Sequence, residues 1–258
     1  MLRFRKAGEC HCECDIFANV QPAYADKRIS PIYSVEEAAG YLRIPISTLR
    51  NWTMGRKRND GSEPYEAVLQ SVDQHYHRLS FYDLVEAHIL RAAVEEHVPL
   101  QQLRRGLQYL RSKHPDNVRP LLTYNFRTDG KYLLVGGMLG SNDKDREALV
   151  NASIHGQLEM TPLLPKHVHL LTGFDKYFDL VHRDRSKMPD TLFPKNGRKI
   201  VSITSGIFSG RPVVEGTRIP TALIAQRFNA GEDVNTLAKD YRIPKEKIEA
   251  AIEYEAAA

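Results

Sequence analysis

The chain has 258 residues, a formal net charge of +4, 42% hydrophobic residues and 26% charged residues. This length accommodates one large or two modest domains, and the composition is ordinary for a soluble globular protein. No apolar run approaches the roughly 18 residues of a membrane span. The opening MLRFRKAGECHCECD lacks the apolar core and the cleavage site of a signal peptide. A cytoplasmic protein with no membrane partner is therefore expected. The mild positive charge permits nucleic-acid contact without demonstrating it, so its local distribution has to decide.

All the cysteines lie near the start, as Cys10, Cys12 and Cys14, with His11 between two of them. An odd count in one short run is not a disulfide framework, and no second cluster is present to close a tetrahedral metal site. No metal and no cofactor are expected. Residues 1–30 read as a disordered extension.

The chain is organised around Tyr33 to Arg58, YSVEEAAGYLRIPISTLRNWTMGRKR. Ser34 with Glu37 three residues on forms a capping box, and Val35, Ala38, Ala39 and Leu42 fall on one face at helical spacing. Pro45 stops this helix. Ser47 is expected to cap a second short helix whose Leu49 and Trp52 face inward. Two short helices joined by a tight turn make a helix-turn-helix, which offers the start of its second helix to the major groove of DNA. From Ala38 to Asn59 there is no acid, while Arg43, Arg50, Arg56, Lys57 and Arg58 are cationic. Thr48, Arg50 and Asn51 are expected to be exposed on the second helix. Arg takes guanine and Asn takes adenine bidentately, and Arg and Thr also bind phosphate. The candidate DNA-binding set is thus Arg43, Ser47, Thr48, Arg50, Asn51, Arg56, Lys57, Arg58 and Arg78. The plainer reading is a helical hairpin with a solvated basic rim. The stretch resembles the MerR-like helix-turn-helix, in which EAA…L is followed by a STLR-W block.

Residues 59–77 read as a hairpin-like wing around Asp60-Gly61, followed by His75, Tyr76, His77 and Arg78. Ser80, with Asp83 as capping-box partner, opens a helix that His97-Val98-Pro99 breaks. Leu100, Leu103, Leu107 and Leu110 give a second amphipathic helix over 100–113, with Arg104, Arg105 and Arg111 on a solvated face. Both are similar to the helices that follow the wing in MerR-like domains. From Leu121 the period turns from helical to alternating. Residues 123–128, Asp129-Gly130 and 131–135 form a hairpin, and 147–153 and 157–161 add strands. Residues 163–185 are expected to pack on this sheet, in part as a helix. Residues 185–197, with Pro189, Pro194 and Gly197, read as a linker.

The last segment opens with a strand at 200–203 and a glycine-rich turn region. Helices at 221–229, 234–241 and 245–255 follow, with Asp233 as a cap and Leu223, Phe228, Leu237, Ile248 and Ile252 as an apolar stripe. It too has a helix-turn-helix outline. From Arg211 onward, however, acids outnumber bases, and the third helix carries Glu246, Glu249, Glu253 and Glu255. Phosphate repels such a face, so a protein partner suits it better.

The segment from Ser209 to Tyr254, with its block GRPVVEGTRIP, closely resembles a small bacterial domain family of unknown function, numbered 433. Combined with a MerR-like head, the chain resembles the VapB-type antitoxins of toxin–antitoxin pairs. That resemblance implies a PIN-like RNase toxin as partner, neutralised by the C-terminal part through Arg211, Glu215 and Arg218. It also implies autorepression of the operon by binding operator DNA. On physical grounds Arg211 and Arg218 either clamp a partner carboxylate bidentately or pin their own loop to Glu215 or Asp240.

The expected fold is α+β. It comprises a MerR-like winged helix-turn-helix over 31–114, a middle α+β region and linker over 115–197, and a three-helix toxin-binding domain over 198–258. A homodimer is expected because helix-turn-helix proteins read paired half-sites. No nucleophile–base pair, paired catalytic carboxylates or phosphate-binding loop is visible, so no catalytic residue is assigned. The other reading is a transcription regulator that senses a small molecule through the middle region.

Overall fold

A computed structural model describes residues 26–56, 65–69, 77–128, 133–138, 150–151, 175–194 and 199–256. The architecture is α+β, with nine helices and two small antiparallel sheets among the described residues.

Helix α1 (Val35–Leu42) has the capping box its sequence predicts. Glu37 N–H donates to Ser34 Oγ at 3.1 Å, and Ser34 N–H donates to the Glu37 carboxylate at 2.9 Å. The helix ends because Arg43 turns left-handed (φ 56°, ψ 42°), closing the last turn with its N–H on Ala39 and Gly40. Helix α2 (Ile46–Met54) starts two residues earlier than expected, and Ser47 is not its cap. Pro45 occupies the cap position, with φ −55° and its carbonyl receiving Thr48 N–H and Leu49 N–H. Proline's fixed φ suits the helix entry, and its carbonyl, by taking Thr48 N–H as well as Leu49 N–H, satisfies a donor that a capping hydroxyl would otherwise accept.

Helices α3 (Phe81–Glu95) and α4 (Leu100–Lys113) follow as expected, α3 with the Ser80–Asp83 capping box. A single turn, α5 (Pro120–Thr123), leads into the hairpin β1 (Tyr124–Thr128) and β2 (Leu133–Met138), which β3 (Val150–Asn151) extends. The Asp129-Gly130 tip and the strand expected at 157–161 lie outside the described residues.

The region 163–197 differs from expectation. Of the anticipated helix, α6 (Asp175–Phe178) is described, and Val181 belongs to strand β4 (Val181–Arg183). The expected linker contains strand β5 (Pro189–Leu192), which pairs with β4 and with β6 (Val201–Thr204). Pro189 opens the strand at a bulge, where a missing N–H costs no ladder bond. Leu192 at its other end is fully buried. Strand β7 (Val213–Val214) completes the order β4-β5-β6-β7.

Helices α7 (Thr221–Asn229), α8 (Val234–Tyr241) and α9 (Lys245–Ala256) close the chain around Val214, Ile224, Leu237, Ile248 and Ala251. Leu223 and Phe228, expected in the apolar stripe, are 42% and 39% exposed. Ile224, one residue along, faces the core instead. The larger core joins α1–α5 to Tyr177, Val181, Leu192 and Ile203, so the second sheet packs against α3.

The α1–α2 turn recurs between α8 and α9. Arg43-Ile44-Pro45 and Arg242-Ile243-Pro244 share a left-handed arginine, at φ 56° and 55° with ψ 42° in both. Ile44 N–H bonds Ala39 O at 3.0 Å, and Ile243 N–H bonds Ala238 O at 3.2 Å. The pattern V-x3-A-x3-R-I-P-x3-[LI] underlies both, from Val35 to Leu49 and from Val234 to Ile248.

Candidate functional site

On α2, Leu49, Trp52 and Thr53 point into the core. The opposite face carries Ile46, Ser47, Arg50 and Met54 in solvent, with Thr48 and Asn51 half-buried at its edges. Arg50 donates to Glu36 of α1 at 2.9 Å, but both side chains are more than half exposed. Water and salt screen a pair this exposed, so it holds Arg50 only weakly and leaves the guanidinium available to another anion.

Beyond α2 the chain turns back on itself. Arg56 and Tyr65 exchange backbone hydrogen bonds of 2.9 and 2.8 Å in an isolated antiparallel bridge. Gly55 permits this closure: its φ is +75°, and a Cβ there would stand 2.3 Å from Tyr65 O. Lys57 and Arg58 lie outside the described residues, as do Asp60-Gly61 and Val72. The returning segment is tied down by Val68 and Leu69 N–H on Trp52 O. Arg104, expected to be solvated, donates to Glu66 O at 3.1 Å, and Arg111 donates to Val68 O at 3.2 Å. These arginines therefore hold the 65–69 segment against α4. Arg56 is exposed at the bridge to Tyr65, and Arg78 is exposed beside Leu79, which bridges to Tyr33.

Arg43 goes elsewhere. Its guanidinium lies 4.5 Å from the ring centre of Tyr254 on α9, with both terminal nitrogens buried and unbonded among the described residues. Two further contacts join the same surfaces. Tyr254 donates to Tyr41 O at 3.1 Å, and Tyr33 donates to Gly210 O at 2.9 Å in a buried position. The C-terminal helices are thus docked on the side of α1 and its turn, leaving the outer face of α2 open. Sequence reasoning missed the contacts of Tyr33 with Gly210 and of Tyr254 with Tyr41, because residues 177 and 213 apart show no periodic relation.

In the C-terminal part Arg211 and Arg218 are exposed, and neither guanidinium makes a hydrogen bond or ion pair among the described residues, the backbone N–H of Arg211 alone donating to Phe208 O at 3.2 Å. Glu215 is half-buried and uses its backbone, with its N–H on Ile200 O at 2.7 Å and its carbonyl receiving Lys247 Nζ at 2.8 Å. Asp240 is taken by Arg227 at 2.6 Å. The two arginines therefore do not pin their loop to Glu215 or Asp240. Among the described residues, no group of three or more His, Cys, Asp or Glu is arranged to hold a metal ion, and no helix is long and apolar enough to cross a membrane. Cys10, Cys12 and Cys14 fall outside those residues.

Two short helices joined by a tight turn, the second with an open outer face, and two supporting helices after them have the helix-turn-helix outline that DNA-binding proteins use. Residues 31–107 match a family model described as "Putative DNA-binding HTH domain", and residues 201–254 match one described as "Protein of unknown function (DUF433)". The chain therefore carries both domains: the second match bears out the family expected from GRPVVEGTRIP, and the first bears out a helix-turn-helix over the STLR-W block without distinguishing a MerR-like one. The chain is similar to "Putative antitoxin VapB45" of Mycobacterium tuberculosis, 24% identical over 235 residues, covering 86% of this chain and 93% of that protein. It is also similar to "Uncharacterized protein Rv2308" of the same organism, 23% identical over 231 residues, covering 86% and 89%. Its fold matches the crystal structure of Rv2018 from M. tuberculosis at a TM-score of 0.55 with 19% identity, over 86% of this chain and 97% of that one.

Proposed function

We propose that the protein is a non-enzymatic antitoxin and DNA-binding regulator. The 31–114 part acts as a MerR-like winged helix-turn-helix on operator DNA, and the 198–258 part acts as a three-helix domain that holds a PIN-like RNase toxin. The observation that carries the DNA reading is the outer face of α2, open to solvent with Ser47 and Arg50 exposed and Thr48 and Asn51 at its edge. Arg56 and Arg78 flank it, and Lys57 and Arg58 belong to the same basic run. Arg43 is left out of this face, since it supports the turn from the Tyr254 side. Binding as a homodimer would place two such faces on paired half-sites and let the protein repress its own operon.

The toxin reading draws support from the similarity to an antitoxin and from the two exposed, unpaired arginines, Arg211 and Arg218, on either side of Glu215. A guanidinium fits a carboxylate bidentately, and a PIN-like nuclease concentrates carboxylates at its metal site. Co-expression with a PIN-like nuclease encoded beside the gene tests this. The full chain is expected to restore growth and to co-purify with the nuclease. Arg211→Ala with Arg218→Ala is expected to weaken capture by about 2 kcal/mol or more, the scale for truncating a buried interfacial charge pair. Unimpaired rescue and capture by the double variant would remove these residues from the interface.

A further inference from the structure

The reading face of α2 contains apolar surface that its cations do not explain. Ile46 is 45% exposed and Met54 is 40% exposed, at the two ends of a nine-residue helix. Ile46, Arg50 and Met54 are spaced i, i+4, i+8, so they form one stripe on the side opposite Leu49 and Trp52. A helix whose outer face meets only water carries polar residues there. No acid lies between Ala38 and Asn59, and the carboxylate that does reach this stripe, Glu36 of α1, is held by Arg50 at 2.9 Å. Such a surface complements a polyanion that also offers apolar groups. The major groove of DNA is that surface, because each thymine presents its C5-methyl there beside the hydrogen-bonding edges.

We infer that Ile46 is a sequence-specificity residue whose side chain seats against a thymine C5-methyl, next to the base or phosphate contacted by Arg50. Ile46 is the first residue of α2, and the N-terminal residues of a recognition helix are those that reach base edges. Ile46 is also not one of the buried core residues, so shortening it trims a partly covered surface side chain and leaves the core residues in place. The inference rests on the proposal that α2 reads DNA, and it adds the base that is read and the group that reads it.

The test uses the full chain and a pool of random duplexes. Duplexes selected by the wild-type protein are resynthesised with deoxyuridine replacing thymine one position at a time, which deletes only the methyl group. At one position per half-site the wild-type affinity is expected to fall about fourfold, the value of one buried methyl-sized group. Ile46→Ala is expected to bind the thymine duplex with a similar loss and to be indifferent to uracil at that position, while keeping its thermal midpoint. Wild-type protein that selects a motif yet ignores every uracil replacement overturns the assignment of Ile46 alone. Ile46→Ala that keeps full uracil sensitivity, or that changes only the oligomeric state, also overturns it. Failure to select any duplex overturns the DNA reading itself.

Discussion

Arg119→Ala is expected to destabilise the protein by about 3–5 kcal/mol, the cost of removing one member of a buried charge cluster. Arg119 reaches Asp83 at 2.8 Å and also Glu86, and both carboxylates are almost fully buried on α3. Asp83 has a second commitment, capping α3 through Ser80 N–H at 2.7 Å. Without Arg119, Glu86 loses its hydrogen-bonded cation, and its other oxygen has no partner among the described residues. Urea denaturation of the variant measures the loss, and a change under about 1 kcal/mol would contradict it.

The same cluster sets a pH dependence. Burial pushes the Glu86 carboxyl up to about 7, with Arg119 opposing the shift. A raised acid stabilises the fold fully below its unfolded pKa, and that contribution is lost as pH rises through about 7. His88 has the opposite sign, because burial lowers it to about 4 and its contribution is lost as pH falls toward that value. Comparing Glu86→Gln with wild type at each pH cancels the histidine. The wild type is expected to lose stability relative to the variant between pH 5 and 8.

Gly210→Val is expected to cost about 2–4 kcal/mol, combining backbone strain with overpacking. Gly210 sits at φ +73°, and a Cβ there would stand 2.1 Å from Tyr33 Oη and 3.0 Å from Ile32 Cδ1. The clash falls where the C-terminal part meets the helix-turn-helix. Tyr33→Phe deletes only the hydrogen bond and is expected to cost about 1 kcal/mol. Thermal midpoints separate the two, and equal midpoints for Gly210→Val and wild type would show that this contact bears no load.

Local chemistry was legible wherever a residue decides its own surroundings. Ser34–Glu37, Ser80–Asp83 and Asp233 cap the helices predicted for them, and the Leu100–Leu110 stripe marks α4. Ser47 misled because proline at the preceding cap position already satisfies the helix entry. Strand β5 was hidden because Pro189-Asp190-Thr191-Leu192 is short and begins with a residue that signals a break. Only its neighbours β4 and β6 give it a ladder. Arg43 looked like one more cation in a basic run, yet a partner ring 211 residues away turns it aside. The repeated R-I-P turn was visible in the sequence, since its spacing from valine, alanine and leucine or isoleucine is the same in both copies.

Two helix-turn-helix units in one chain make the choice of reader the central claim. Fluorescence anisotropy of a labelled duplex from directly upstream of the gene, titrated with full chain at rising salt, tests it most directly. The account predicts an affinity that falls steeply with salt. It also predicts that Arg50→Glu on α2 abolishes binding, while Lys245→Glu at the start of α9 leaves binding unchanged. Binding that survives Arg50→Glu and is lost with Lys245→Glu would contradict it.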